Sequence, residues 1–286
     1  MQPLLYAIEG DSPVVLPIAS LTDFPGGGGL YRGLELGVYS ALRTFEHCKF
    51  LDLDHHLART RRSMARLGWQ YPWNEARLRQ CLDTVCDSAP FEEMRVRFDV
   101  LTAPGVLRGT PSRELITLTS FTPPPRELYD VGVSVVTTNA IQRDDPLVKE
   151  ASFVERRRDI EAREPRAYEH LIVNAHGEIL EGLSSNVYAV RDGVLYTAGN
   201  DVLEGVTRRI ILQCAHELAI PVVLNAPRRE ALTMFDEAAI SSSSRGLLPI
   251  VNIDTRPVAR EVPGPLVAAL RAAYDDYVTG HVCRAV

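Results

Sequence analysis

Lysine is almost missing from this chain: of 286 residues only Lys49 and Lys149 are lysine, against 29 arginines. Any chemistry that needs a side-chain amine therefore falls to one of two positions. Long apolar runs are missing as well, and the opening MQPLLYAIEGDS has neither the basic start nor the apolar core of a signal peptide. This excludes a helical membrane span and makes a soluble, cytoplasmic protein the expectation. An excess of positive charge is also lacking. A net charge of -6 and a pI near 5.7 speak against a general nucleic-acid role, local arginine clusters notwithstanding. The five cysteines are odd in number and scattered without metal-ligand spacing. His55 and His56 are adjacent, and His216 has no second histidine at helical spacing. Free thiols in a reducing compartment and no metal site are expected. Repeats are absent too. What remains is ordinary globular composition, 45% hydrophobic and 24% charged, in a chain long enough for two modest domains or one large one.

The chain is organised around residues 179–186, ILEGLSSN, which lie between the apolar runs 170–174 and 187–190. A Glu between two buried strand-like flanks is not a simple surface carboxylate, because an unpaired buried charge is expensive. Glu181 therefore needs a cationic or protonated partner, and the search for one leads back to Lys149.

Residues 25–29, PGGGG, read as a flexible loop. Residues 54–68 read as a helix with Asp54 as N-cap, Leu57, Met64 and Leu67 on one face, and Gly68 at the stop. Arg59, Arg61, Arg62 and Arg66 cover the rest of that helix and read mostly as solvated charge. Residues 74–88 give a second helix, with Leu78, Cys81, Leu82 and Val85 at packing spacing. Residues 94–100 alternate, Met94, Val96, Phe98 and Val100 against Arg95, Arg97 and Asp99, and predict a half-buried strand. A strand follows at 114–121. The Pro-rich stretch 122–130 is the best interdomain linker, dividing residues 1–121 from 131–286. Strand-like alternation resumes at 131–137, and 149–165 is densely charged and helical in pattern. Arg191, Asp192 and Gly193 between two apolar runs signal a hairpin. Residues 205–218 read as a helix entered through Gly205, Val206 and Thr207, whose first N–H groups with Thr207 would seat a phosphate. A strand and a last helix, 265–278, close the chain.

The order Lys149, a connecting helix, EGLSSN at 181–186 and LEGVTR at 203–208 resembles the class IV, or fold type IV, pyridoxal-phosphate aminotransferases. GVYSALRT at 37–44, HLAR at 56–59 and DEAAISSSSRGLLP at 236–249 resemble further segments of that family, and the likeness runs from about residue 33 to 265. It implies an α+β fold of two domains like that of D-amino acid aminotransferases, the N-terminal one smaller. It implies pyridoxal 5'-phosphate as cofactor, with Lys149 as the Schiff-base lysine and proton shuttle and Glu181 keeping the pyridine nitrogen protonated. Arg59, Gly205, Val206, Thr207, Ser243 and Ser244 would hold the phosphate. Arg143, one residue off the family's spacing, would reach the cofactor hydroxyl. Tyr39 would be the aromatic residue turned toward the cofactor and Arg97 a substrate-facing arginine; from the residues alone, a half-buried strand aromatic is the favoured reading of Tyr39, and a surface arginine an equally open one of Arg97. The implied activity moves an amino group from an amino acid or amine to a 2-oxo acid in a homodimer. The alternatives are a lyase of the aminodeoxychorismate type that releases pyruvate, and an inactive homologue that binds a phosphorylated ligand. The chain departs from the family pattern at Ser40, Leu183, Glu204 and Ser243, and TAPG at 102–105 replaces the Arg-Gly expected of a D-amino acid carboxylate trap.

Overall fold

A computed structural model describes residues 2–18, 28–31, 34–258 and 261–286; residues 25–27 of the PGGGG loop lie outside them. The chain packs as two compact units. The first takes Met1–Thr122, Val148–Glu155 and His281–Val286, the second Pro123–Leu147 and Arg156–Gly280. Lys149 thus belongs to the first unit.

In the first unit, β1 (Leu4–Glu9), β2 (Ser12–Val15), β3 (Val38–Phe45), β4 (Lys49–Leu51), β5 (Met94–Val100), β6 (Glu114–Ser120) and the final strand β16 (Val282–Cys283) form a seven-stranded sheet in the order β16-β4-β3-β5-β6-β1-β2. Strand β5 alternates as its sequence predicts, and Met94, Val96 and Phe98 join Leu57, Leu78 and Leu82 in one core cluster. Its other face is less simple: Asp99 is buried, not solvated. Two helices cover the core face. Helix α1 (Leu53–Arg66) starts two residues earlier than an Asp54 N-cap would have it. The N-cap is Asp52, in left-handed conformation (φ 49°) and without a side-chain cap bond. Asp54 instead sits inside the first turn, where the helix dipole favours an acid, and pairs with Arg79. Leu57 and Met64 are buried but Leu67, at the C-cap, is exposed, because the helix ends at Arg66 before the stripe reaches it. In α2 (Glu75–Ser88) the Asn74 side chain caps by accepting from the Arg77 N–H at 3.0 Å, and Leu78, Cys81, Leu82 and Val85 are all buried.

The second unit begins with a short helix, α3 (Glu127–Val131), inside the Pro-rich stretch. Its strands are β7 (Val133–Thr138), β8 (His170–Val173), β9 (Ile179–Gly182), β10 (Asn186–Arg191), β11 (Val194–Tyr196), β12 (Val222–Val223), β13 (Glu237–Ser242), β14 (Gly246–Ile253) and β15 (Arg256–Pro257). The path β10-β13-β14-β7-β8-β9 closes on itself where Asn186 of β10 pairs with Glu181 of β9, so six strands make a ring with no free edge. Asp192 (φ 51°) and Gly193 (φ 74°) turn β10 into β11, the two left-handed residues that the predicted hairpin requires. Helix α5 (Val206–Glu217) buries Ile210, Ile211 and Cys214, and α6 (Pro265–His281) buries Val267, Leu270 and Tyr274. Helix α4 (Ser152–Glu161) begins in the segment Val148–Glu155 of the first unit. Among the described residues no helix is long and apolar enough to cross a membrane.

Candidate active site

In the first unit, the backbone around Lys149 runs as an extra partner to the start of β3. The Tyr39 N–H donates to the Lys149 carbonyl at 3.1 Å, the Ala151 N–H to the Gly37 carbonyl at 2.8 Å, and Val38 bridges Glu150. The Lys149 N–H is held in turn by Ser63 Oγ of α1 at 3.2 Å. These bonds pin the residue, and its Nζ lies 4.7 Å from the centre of the Tyr39 ring. Tyr39 is buried against Ala151 and Val154, not the half-buried aromatic its residue type suggests. Lys49, the other lysine, is half-exposed and paired with Glu46 at 2.6 Å.

Arg59 stands apart from the other arginines of α1. It is 4% exposed, whereas Arg61, Arg62 and Arg66 face solvent. Its Nη2 donates to Ser40 Oγ at 2.9 Å, and Ser40 Oγ also meets His56 Nδ1 at 2.9 Å. Burial holds the His56 imidazole far below its ordinary value, and the charges of Arg59 and Lys149 push it the same way. His56 is therefore a neutral hydrogen-bonding ring, and Ser40 fits the small space between it and the guanidinium. On the opposite face of the sheet, the face of Tyr39 and Ala41, Arg97 chelates Asp99, its Nε at 3.0 and 2.8 Å from the two carboxylate oxygens. This is the acid that sequence reasoning passed over. Its signal was present, since opposite charges at i and i+2 of a strand share one face.

In the second unit the EGLSSN stretch folds as one hydrogen-bonded piece. Glu181 and Asn186 are paired across β9 and β10, with the Gly182 N–H donating to the Ser185 carbonyl at 2.8 Å to close the turn. Glu181 is 3% exposed. Its Oε1 accepts from Arg143 Nε at 2.6 Å and its Oε2 from the Leu203 N–H at 3.2 Å. The cationic partner that burial demanded is thus supplied within the unit by Arg143. The Arg143 and Glu181 side chains line a cavity of about 220 Å³ together with Ile172, Asn174, Leu180 and Asp201. Asn186 Nδ2 donates to the Leu203 carbonyl at 3.0 Å, which holds the 203–208 motif against the turn. Gly205 is the N-cap of α5, with no side-chain cap bond; a Cβ there would run into Asn186 Oδ1. Val206 and Thr207 follow it, both buried, and no acid occupies the first turn. Ser243 and Ser244 sit in the turn between β13 and β14, half-buried, with Ser244 Oγ 3.3 Å from Ser242 Oγ.

A second buried acid, Glu169, has no counterpart in the sequence reading. Its Oε2 accepts from Ser184 Oγ at 2.6 Å, Ser185 Oγ at 3.0 Å and Arg245 Nη1 at 2.8 Å. Burial alone would raise its carboxyl, but Arg245 and these hydrogen bonds outweigh burial and hold it below the usual carboxylate range. The two serines of the motif therefore serve Glu169, which only the closed ring brings beside them. Among the described residues one group, His47, Cys48 and Asp87, has metal-ligating atoms within 4.8 Å of one another. Cys48 Sγ donates to Asp87 at 3.3 Å and Arg284 binds the same carboxylate at 2.7 Å, so this acid already has its partners.

Chemically, the first unit offers an amine pinned beside an aromatic ring and a buried guanidinium. The second offers a buried carboxylate held by two donors and a helix start suited to an anion. The family description Amino-transferase class IV matches residues 37–253. A D-alanine aminotransferase from Bacillus licheniformis is 27% identical over 270 residues, covering 89% of this chain and 93% of its own length. Among solved structures, the T.th. branched-chain amino acid aminotransferase with pyridoxamine 5'-phosphate aligns at a TM-score of 0.79 and 21% identity, covering 99% of this chain and 98% of that one. The branched-chain amino acid aminotransferase from Escherichia coli aligns at 0.75 and 18%, with the same two coverages.

Proposed function

We propose, from the premise that this chain belongs to the class IV aminotransferases, that it transfers an amino group between an amino acid or amine and a 2-oxo acid with Lys149 as the reacting amine. Members of the family work with pyridoxal phosphate, and the residues present fit that group. Glu181 is a buried carboxylate fixed by two donors, with acceptor capacity left for a ring N–H. Helix α5 starts at a glycine where a side chain would clash, has no acid in its first turn and offers N–H groups to a phosphate. When bound, the cofactor supplies an aldehyde that takes the amino group and a ring that absorbs electrons.

In this reading Lys149 would hold the cofactor through its Nζ and would move the proton at the reacting substrate carbon. Tyr39, packed beside the amine, keeps water away from it and orients it. Glu181 would accept the ring N–H, and Arg143 holds that carboxylate in place in addition to the hydroxyl contact the resemblance implies. Arg59, Gly205, Val206, Thr207, Ser243 and Ser244 would hold the phosphate. Arg97 lies on the substrate side. A homodimer in the cytoplasm belongs to the same reading.

The observation that carries it is the scarcity of lysine together with the backbone bonds that fix Lys149 against Tyr39. The test is borohydride reduction of cofactor-loaded protein followed by peptide mapping. Label on the peptide that contains Lys149 is expected, and label on Lys49 overturns the assignment. An amino donor added alone should bleach the visible absorption and a 2-oxo acid should restore it. Pyruvate release from aminodeoxychorismate without such bleaching would make the protein a lyase.

A further inference from the structure

The register of the first sheet sets Tyr39 opposite Asp99 and Ala41 opposite Arg97 across β3 and β5, and Thr117 opposite Arg97 across β5 and β6. Directly paired residues share a face, so these side chains stand on the face where Lys149 Nζ meets the Tyr39 ring. There the Arg97 guanidinium lies 4.2 Å from the centre of the Tyr31 ring and 4.3 Å from that of Tyr39. Tyr31 is fixed by a 2.6 Å bond between its hydroxyl and Thr117 Oγ1. Asp99 takes both its oxygens to one edge of the guanidinium, and its side chain is wholly buried. Burial works against the Arg97 charge, but Asp99 beside it more than compensates, so the arginine stays protonated.

A guanidinium binds a carboxylate best through two parallel N–H groups. At Arg97 the Nε edge is already taken by a carboxyl group of the chain itself. A second carboxylate on a substrate would find that edge filled and would meet the Asp99 oxygens beside it. We propose that Asp99 is a specificity-determining residue: by occupying Arg97 it excludes dicarboxylates, so that the donors and acceptors of this enzyme carry at most one carboxylate. The proposal rests on the reading of the Tyr39 and Lys149 face as the substrate side.

The test uses the cofactor-loaded protein and follows the visible absorption. Both enantiomers of alanine, leucine and glutamate serve as donors, with pyruvate and 2-oxoglutarate as acceptors. The wild type should favour the best monocarboxylate over the best dicarboxylate by at least about tenfold in kcat/KM, the scale of one lost charge-assisted contact. Asp99→Asn keeps the size and one acceptor, and should narrow that gap by about tenfold, mainly through a lower KM for the dicarboxylate. Calorimetry with glutarate, which does not turn over, should detect binding to the folded variant and little to the wild type. A wild type that takes glutamate or 2-oxoglutarate as readily as alanine or pyruvate overturns the proposal without any variant. So does a folded Asp99→Asn protein whose preference and glutarate binding are unchanged. Protein in which no donor of either kind alters the absorption overturns the transaminase reading first, and that outcome is told apart from the others by the missing half-reaction.

Discussion

Arg59 and Arg61 are two residues apart on the same helix and do different things. Arg59 is buried with its guanidinium on Ser40, while Arg61 reaches across solvent to Glu75. An exposed ion pair contributes little, and a buried charge-assisted contact to phosphate contributes about 1.5 to 3 kcal/mol. Arg59→Ala should therefore weaken pyridoxal phosphate binding by roughly 10- to 100-fold, while Arg61→Ala leaves it nearly unchanged. Equilibrium titration followed by cofactor fluorescence checks this, and equal losses in the two variants would remove Arg59 from the phosphate. Glu181 is a harder case because it serves two partners. Glu181→Gln retains an oxygen for Arg143 Nε but loses the charge, so turnover should fall by on the order of 100-fold or more, each tenfold being about 1.4 kcal/mol of barrier. Rapid-mixing half-reactions on folded protein measure it, and near-normal turnover would end the proposed role.

At the scale of elements, the EGLSSN turn shows how one small residue holds a functional segment together. A Cβ on Gly182 would strike Ser185 Oγ and come within 2.9 Å of Glu169 Cγ. Neither neighbour has room to move, since Ser185 and Glu169 are bonded to each other and Arg245 holds the acid. Gly182→Ala should cost about 1 to 3 kcal/mol by overpacking. Gly280, in the last turn of α6, has nothing within 4 Å of its Cβ direction, so Gly280→Ala should be neutral or slightly stabilising. Chemical denaturation of both variants makes the comparison, and a loss at Gly280 as large as that at Gly182 would show that contact with Glu169 is not the cause. Most elements were legible from periodicity: β5, α2 and α5 match their patterns within a residue. The start of α1 was not, because Asp52 adopts a left-handed turn that no local pattern announces.

For the whole molecule, the buried titratable groups fix how stability responds to acid. The folded pKa of His56 is depressed, so as pH falls below about 6.5 the unfolded chain takes up a proton that the folded protein refuses. Its contribution is complete above that value and declines below it by up to about 1.4 kcal/mol per pH unit. Glu169 is depressed in the folded state as well, but as an acid. Its contribution is present above the ordinary Glu value near 4.3 and is lost as pH falls through the lower folded value. Scanning calorimetry between pH 7.5 and about 3 should then show two separate declines. His56→Gln should flatten the upper one and leave the lower one in place. An unaltered upper slope in that variant would mean that His56 is protonated in the folded protein.

By itself the sequence determined the helices with clean apolar spacing, the hairpin at Asp192 and Gly193, and the short list of motif residues, and the resemblance carried by the order of those motifs implied the α+β class. It could do so because these follow from periodicity, from turn chemistry and from the order of segments along the chain, all of which are local or linear. It also made Lys149 prominent, since there was only one other lysine to choose. Only the tertiary structure decided who partners whom. Arg143 closes on Glu181, Arg245 and two serines on Glu169, Asp99 on Arg97, and Ser40 stands between His56 and Arg59. These pairings join residues far apart in sequence, and Arg97 and Asp99, two apart, still needed the buried strand face to make them a pair. A buried charge must be satisfied by whatever the fold brings within about 3 Å, and that distance is set by sheet register and ring closure, which no stretch of sequence encodes alone.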